Sequence, residues 1–156
     1  MKVYLIRHAH AVDEGARLDD AHRYLTARGR KVAREAGARL LAHGATFDAV
    51  LTSPLVRAVQ TAELLAERLG YLGEIVALPA LAGGVPPRVA AEGLAARGVA
   101  VAVVGHEPGI SALGALLLGR PSFPPFKKGQ VSLIEDGRAV WYLDPDTMVI
   151  DRLLLA

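Results

Sequence analysis

The feature that most constrains the fold is the hexapeptide VAVAVV at residues 99–104, in which every residue is apolar. A strand with one face in water alternates apolar and polar residues, whereas a strand that is apolar on both faces is covered on both. Shorter apolar runs occupy residues 3–6 and 49–51, and a weaker one occupies residues 75–78. These runs predict a parallel sheet with both faces buried.

Helical patterns fill the intervals between these runs. Apolar residues recur at helical spacing over residues 55–69, and Gly70 closes that segment. Thr26 can cap a second helix that ends near Gly44, and residues 86–97 and 109–118 supply two more. Strands that alternate with helices predict an α/β fold in three layers, an α/β/α sandwich.

The last third of the chain has a different pattern. Residues 119–128 are rich in proline and predict a surface loop. Residues 130–135 and 138–143 flank Asp136-Gly137, which predicts a hairpin and therefore an antiparallel edge on a mostly parallel sheet. The tail, residues 144–156, is either an edge strand or a subunit contact. No linker or repeat divides the chain, so we expect a single domain over residues 1–156.

Composition excludes several classes of function. The chain has no cysteine, which removes disulfides, thiolate metal sites and a cysteine nucleophile. Its net charge is only +2, its basic residues are scattered and only 5% of its residues are aromatic, so nucleic-acid binding is not expected. The first apolar run is too short for a signal peptide, and no window is long enough to span a membrane. A cytoplasmic protein without membrane contact is therefore expected.

Polar residues follow three of the predicted strands at the point where each strand ends. Arg7 and His8 follow the first strand, Ser53 and Arg57 follow the second, and His106 follows VAVAVV. In open parallel sheets, ligands bind beyond the carboxyl ends of the strands. We therefore expect two arginines and two histidines to meet over one site.

This set of residues suits a phosphoryl group. The planar fork of arginine binds a tetrahedral oxyanion through two hydrogen bonds. Arg57 lies in the first turn of its predicted helix, where a cation is unfavourable unless an anion is bound beside it. The free N–H groups of the helix that follows His106 would also favour an anion. The pattern predicts a phosphate site.

The candidate nucleophile is a neutral imidazole, because the sequence shows no cysteine, serine-centred triad or metal cluster. His8 is the better candidate, since it follows its strand directly, and attack on phosphorus would give a covalent phosphohistidine. Positive charge nearby would keep His8 unprotonated. His106 and the two arginines would stabilise the transition state, and water would complete the turnover.

Each of these residues also has a plain structural explanation. Arg7-His8 can be a solvated strand end, Ser53 a helix start with Arg57 exposed behind it, and His106 part of a loop. Their convergence at one edge of the sheet favours function.

His8 and His10 could form a metal site together with Asp13, Glu14 or His106. Arginines beside such a site would repel a cation, so no metal is expected.

Three motifs resemble those of a known family. LIRHAHA resembles the Arg-His-Gly motif that opens members of the histidine phosphatase (phosphoglycerate mutase-like) superfamily, SPLVRAVQTA its second arginine motif and VGHEPG its second histidine motif. Residues 23–29 and 126–135 look like segments of the small SixA-type phosphohistidine phosphatases. The resemblance extends to about residue 143 and implies a phosphoglycerate mutase-like fold without a cofactor. It also implies a phosphate pocket of Arg7, His8, Arg57 and His106, with His8 as nucleophile.

The sequence departs from the family pattern at two places. Ala9 stands where the family usually has glycine, so a methyl group must fit in the turn after the first strand. Residues 78–87, LPALAGGVPP, contain no carboxylate, although larger relatives carry a general acid in this region and SixA-type members resemble this chain in lacking one. An imidazole leaving group can take its proton from solvent, whereas an alkoxide needs a donor.

These observations predict a metal-independent phosphatase acting on a phosphohistidine-containing protein, which could reach a site without a large cap. Small phosphate esters are the rival substrates, mutase activity is less expected, and a non-catalytic phosphate-binding module stays open. The oligomeric state is not predicted. Arg23 is a further candidate substrate contact. A loop carboxylate could still donate a proton, and the candidates are Glu107, Asp13, Glu14, Asp19 and Asp20.

Overall fold

A computed structural model describes residues 1–155, which form a seven-stranded sheet in the order β3-β2-β4-β1-β5-β6-β7. The strands are β1 Lys2–Arg7, β2 Ala49–Thr52, β3 Ile75–Ala77, β4 Ala100–Gly105, β5 Val131–Glu135, β6 Arg138–Leu143 and β7 Ile150–Arg152. The helices are α1 Ala27–Ala42, α2 Val56–Leu69, α3 Pro87–Ala91 and α4 Gly109–Leu118. No helix within these residues combines the length and apolar character that crossing a membrane requires.

Strand β4 lies inside the sheet, as its two apolar faces predict. It pairs in parallel with β1 on one side and with β2 on the other, and all six of its residues are buried. Helices α1 and α2 cover one face, where Leu40 and Leu65 join a core with Val104. Helices α3 and α4 cover the other face, where Leu113 packs with Val103. The predicted three-layer α/β/α sandwich is confirmed.

The predicted antiparallel edge is also confirmed. Strands β5 and β6 form a hairpin, and both turn residues have positive φ, 49° at Asp136 and 72° at Gly137. A two-residue turn of this kind matches the twist of the strands that it joins. Strand β7 then pairs with β6. The tail is thus an edge strand over Ile150–Arg152, while Ala156 lies outside the described residues.

The helix predicted over residues 86–97 is wrong in extent. Helix α3 ends at Ala91, and a separate 3₁₀ turn covers Leu94–Arg97. Gly93 lies between them with φ of 78°, a left-handed conformation that ends a right-handed helix. The apolar spacing of this segment therefore serves two short elements rather than one helix.

Helix α1 begins against the loop that follows β1. Thr26 caps the helix by accepting a hydrogen bond from the N–H of Gly29 at 3.1 Å, and its hydroxyl lies 2.8 Å from Nδ1 of His10. A Cβ atom on Gly29 would lie 2.0 Å from the carbonyl oxygen of His10. His10 therefore fastens the loop to the helix.

Gly29→Ala is expected to destabilise the protein, because the added methyl group would collide with backbone rather than with a flexible side chain. Overpacking of this kind costs about 1–3 kcal/mol in the free energy of unfolding. Urea denaturation measures the loss, and Gly15→Ala is the matched control, since nothing lies within 4 Å of a Cβ at Gly15. Equal stability of the two variants would contradict the close approach.

Candidate active site

The ends of three parallel strands bring the predicted residues to one edge of the sheet. Arg7 pairs with Gly105 in register, and the N–H of His8 donates to the carbonyl of Gly105 at 3.0 Å. On the other side of β4, the N–H of Ser53 donates to the carbonyl of Val104 at 2.9 Å. As a result, the ring centroids of His8 and His106 lie 5.0 Å apart.

The hydrogen bonds of His8 define which ring nitrogen is available. Its Nδ1 lies 2.7 Å from the carbonyl oxygen of Ala9. A carbonyl can only accept, so Nδ1 carries the hydrogen and Nε2 keeps its lone pair in the neutral ring. The N–H of Ala9 donates to Oγ1 of Thr61 at 3.0 Å, which fixes this peptide. The methyl group of Ala9 is fully buried against Ala11 and Leu25, so it fits the turn.

Both site histidines are neutral at pH 7. Burial lowers the pKa of His8 to about 3, and the nearby His106 and Arg57 act in the same direction. Burial is also the main cause that lowers the pKa of His106 to about 4, followed by Arg57 and later Arg7. From the sequence we expected nearby positive charge to keep His8 unprotonated. That charge does lower the pKa of His8, but burial is the larger cause.

These pKa shifts predict a pH-dependent stability. Between the ordinary histidine pKa of about 6.5 and pH 4, unfolded chains bind protons that His8 and His106 exclude in the folded protein, so unfolding becomes easier as pH falls. Stability is therefore full above about pH 6.5, and each histidine removes on the order of 1 kcal/mol by about pH 5.5.

Urea denaturation across this pH range measures the effect. His8→Asn is expected to flatten the dependence, whereas substitution of the exposed His22 is expected to preserve it. An unchanged slope in His8→Asn would contradict the assignment.

The two arginines are held by their terminal nitrogens. Nη1 of Arg7 donates to the carbonyl of Phe126 at 2.7 Å. In Arg57, Nη1 donates to the carbonyl of Asp20 at 2.7 Å, and Nη2 lies 3.3 Å from Oδ2 of the same residue. The Nε atoms of both arginines are buried and have no partner. Each guanidinium is thus oriented by the protein and keeps its buried Nε–H group without a partner.

His106 has a comparable arrangement. Its Nε2 lies 2.7 Å from Oγ of Ser53, whose oxygen also accepts a hydrogen bond from the N–H of Leu55 at 3.2 Å. The Ser53 hydroxyl can donate its hydrogen to Nε2, which leaves the hydrogen of the neutral ring on Nδ1. That Nδ1 is buried and without a partner.

Unsatisfied buried nitrogens are confined to the predicted site. Within residues 1–155, the buried side-chain nitrogen and oxygen atoms without a partner are Nε of Arg7, Nε of Arg57 and Nδ1 of His106. An unpaired buried donor costs about 1–3 kcal/mol. Three of them beside His8 form an arrangement that a bound oxyanion would satisfy.

Arg23 is linked to Arg57 of this pocket by the carboxylate of Asp20. Its Nε donates to the carbonyl of Val12 at 2.7 Å, and its Nη1 donates to Oδ1 of Asp20 at 3.0 Å. Asp20 in turn contacts Arg57. The role of Arg23 as a substrate contact stays a prediction, whereas Asp20 lies closer to the site than the sequence indicated.

Glu107 has a structural role that corrects one expectation. Its Oε1 accepts the N–H of Ser111 and its Oε2 accepts the N–H of Phe126, both at 3.0 Å. The N–H of Ile110 is also used, since it donates to the carbonyl of His106 at 2.8 Å. The amides of Ile110 and Ser111 are thus already bonded, so the expectation that this helix start offers free N–H groups to an anion does not hold for these two.

The described residues contain no cluster of three or more His, Asp or Glu side chains placed to hold a metal ion. His10 is directed to Thr26 instead.

The first half of the chain matches a known family. The sequence pattern of the histidine phosphatase superfamily (branch 1) matches residues 3–82, a stretch that includes Arg7, His8 and Arg57. The chain belongs to the histidine phosphatase superfamily.

Known proteins of similar sequence align with part of the chain. An uncharacterised protein of Picosynechococcus is 34% identical over 116 residues, which are 69% of this chain and 67% of that protein. The mitochondrial serine/threonine-protein phosphatase Pgam5 of Drosophila grimshawi is 42% identical over 69 residues, or 44% of this chain. That alignment spans only 23% of Pgam5.

Solved structures of the histidine phosphatase superfamily cover nearly the whole chain. The protein histidine phosphatase SixA in complex with tungstate has a TM-score of 0.87 and 26% identity, and covers 96% of this chain and 100% of SixA. A SixA of Nakamurella multipartitia has a TM-score of 0.69 and 30% identity, with 88% of this chain and 86% of that one covered.

Proposed function

We propose that this chain is a phosphohistidine phosphatase that works through a covalent phosphoryl intermediate on His8. One observation carries the proposal: the buried side-chain nitrogens without a partner in residues 1–155 are Nε of Arg7, Nε of Arg57 and Nδ1 of His106, three residues whose charges act on the ring of His8. A phosphoryl group in transfer has three equatorial oxygens that gain charge, and donors already in place stabilise them most. Arg7, Arg57 and His106 would each supply one.

The reaction would proceed in two displacements. Nε2 of His8 attacks phosphorus, the P–N bond of the substrate breaks, and its electron pair goes to the departing imidazole, which takes a proton from solvent. Water then attacks phosphorus, the P–Nε2 bond breaks, and its electron pair returns to His8 as phosphate leaves. Burial keeps His8 unprotonated for the first step.

The choice of a P–N substrate rests on the lack of a suitable acid. Residues 78–87 contain no carboxylate, and Leu81 and Val85 of this segment line a small apolar cavity of about 30 Å³ that adjoins His106. Both oxygens of Glu107 accept backbone N–H groups. Hydrogen bonding to Arg23, with a further contribution from Arg57, lowers the pKa of Asp20, so this carboxyl is a poor proton donor.

The comparisons support the same chemistry without deciding the substrate. SixA binds tungstate, which is a tetrahedral oxyanion like phosphate. An α-ribazole phosphatase of Shigella flexneri shares the fold at 22% identity. A small phosphate ester stays the rival substrate. A cytoplasmic location stays a prediction from the sequence.

Initial rates on two substrate classes test the proposal. We expect a phosphohistidine peptide and phosphoramidate to be hydrolysed at least about 10²-fold faster than sugar phosphates or a phosphoserine peptide, because only the esters require a proton donor. The reverse preference would overturn the substrate assignment and retain the phosphatase. Binding of phosphate without turnover of either class would favour the binding module.

A further inference from the structure

Asp20 presents a physical problem in a phosphate pocket. Its Oδ2 lies 3.3 Å from Nη2 of Arg57, and its charge also acts on the ring of His106. A carboxylate beside a phosphate-binding arginine repels a phosphoryl group and offsets part of the attraction of the arginines. Such a residue weakens phosphate binding, and a role in a later step of the reaction would account for its presence.

Positioning of Arg57 does not by itself require this carboxylate. The carbonyl oxygen of Asp20 already holds Nη1 of Arg57 at 2.7 Å, a bond that any residue at this position would provide. The side chain adds the longer contact at 3.3 Å, and it is 49% exposed. Water therefore reaches the carboxylate at the rim of the site.

The other four carboxylates that the sequence offered as proton donors either have other partners or are exposed. Both oxygens of Glu107 bind backbone amides. Asp19 pairs with His22 on the exposed side of the same turn. Asp13 and Glu14 are exposed. Asp20 is the one among these five whose side chain contacts a predicted phosphate ligand.

The charge state of Asp20 suits the acceptance of a proton. Hydrogen bonds to Arg23 and Arg57 keep the carboxylate ionised, and each oxygen still has a lone pair for a water molecule. An ionised carboxylate cannot protonate a leaving group in the first displacement. It can take a proton from the water of the second displacement.

We propose that Asp20 is a catalytic residue of the second half-reaction, in which its carboxylate binds and deprotonates the water that hydrolyses phospho-His8. This inference rests on the proposed function. The water oxygen forms a bond to phosphorus while the P–Nε2 bond breaks and its electron pair returns to Nε2. The proton of the water passes to Asp20 and then to the departing phosphate or to solvent, which restores the carboxylate.

Decay of the isolated phosphoenzyme tests this step apart from the first one. The enzyme is labelled with radioactive phosphoramidate, separated from substrate, and its loss of label is followed for wild type, Asp20→Asn and Asp19→Asn. We expect decay to slow about 10²-fold in Asp20→Asn, with partial recovery in Asp20→Glu, while labelling itself changes less than about threefold. Asp19→Asn is expected to match wild type.

A solvent isotope effect separates catalysis from positioning. Wild-type decay is expected to slow in deuterium oxide, and this difference is expected to disappear in Asp20→Asn. Unchanged decay in Asp20→Asn would overturn the inference, and so would an equal loss in labelling and decay, which would assign Asp20 to the positioning of Arg57. Failure of wild-type enzyme to label at all would instead refute the proposed function.

Discussion

His8→Ala is expected to lower kcat by at least about 10⁴-fold, because it removes the atom that forms the bond to phosphorus. The substitution leaves Arg7, Arg57 and His106 with their unused donors. Phosphate binding is therefore expected to persist within a few-fold of wild type. Loss of turnover with retained binding is the signature of a nucleophile rather than of a binding residue.

Two measurements check this result. Steady-state rates with phosphoramidate give kcat, and titration calorimetry with inorganic phosphate gives the affinity. Brief incubation with radioactive substrate is expected to leave acid-labile phosphate on wild type and none on His8→Ala. His22→Ala serves as the matched control, since His22 is exposed and pairs with Asp19 outside the pocket. Turnover above about one per cent in His8→Ala would exclude a covalent intermediate at this residue.

The main features of the site could be predicted because they follow from chain order. Buried parallel strands must end at one edge, so residues that follow β1, β2 and β4 converge whatever the details of packing. The burial of Arg57 and the 5.0 Å separation of the His8 and His106 rings agree with that expectation.

The residues that orient the site were not predictable in the same way. Asp20 meets Arg57 across 37 positions, and the carbonyl of Phe126 meets Arg7 across 119. A backbone carbonyl leaves no trace in the sequence, since every residue carries one. The bond between Ser53 and His106 spans 53 positions, and the helix-start role of Ser53 conceals it. These contacts depend on the conformation of loops, and loop sequences lack the periodic spacing of apolar residues that predicts helices and strands.

The extent of the fold shows a similar division. Helical spacing of apolar residues predicted α2, and the turn residues Asp136-Gly137 predicted the hairpin. The apolar spacing over residues 86–97 predicted one long helix wrongly, because Gly93 interrupts the helix while the apolar pattern continues. A single backbone angle there outweighs the spacing of its neighbours.

Arg57→Ala is expected to lower kcat/KM by about 10²–10³-fold, the usual cost of removing one preorganised donor from a developing oxyanion. The loss is expected mainly in kcat, because the buried Nε of Arg57 would serve charge that grows in the transition state. Helix α2 would keep its fold, since Arg57 lies at its first turn and packs mainly with polar groups of the Asp20 turn.

Arg57→Lys distinguishes geometry from charge at this position. A lysine keeps the positive charge but carries a single side-chain nitrogen. Arg57 uses two nitrogens to contact the carbonyl and the carboxylate of Asp20 and keeps Nε for a phosphoryl oxygen. One nitrogen cannot occupy these three positions at once. We therefore expect Arg57→Lys to recover less than about tenfold of the loss. Arg68→Ala, an exposed arginine on the same helix, is expected to retain wild-type kcat/KM. Full recovery by lysine would mean that charge alone acts here, and the unpaired Nε would then have no catalytic meaning.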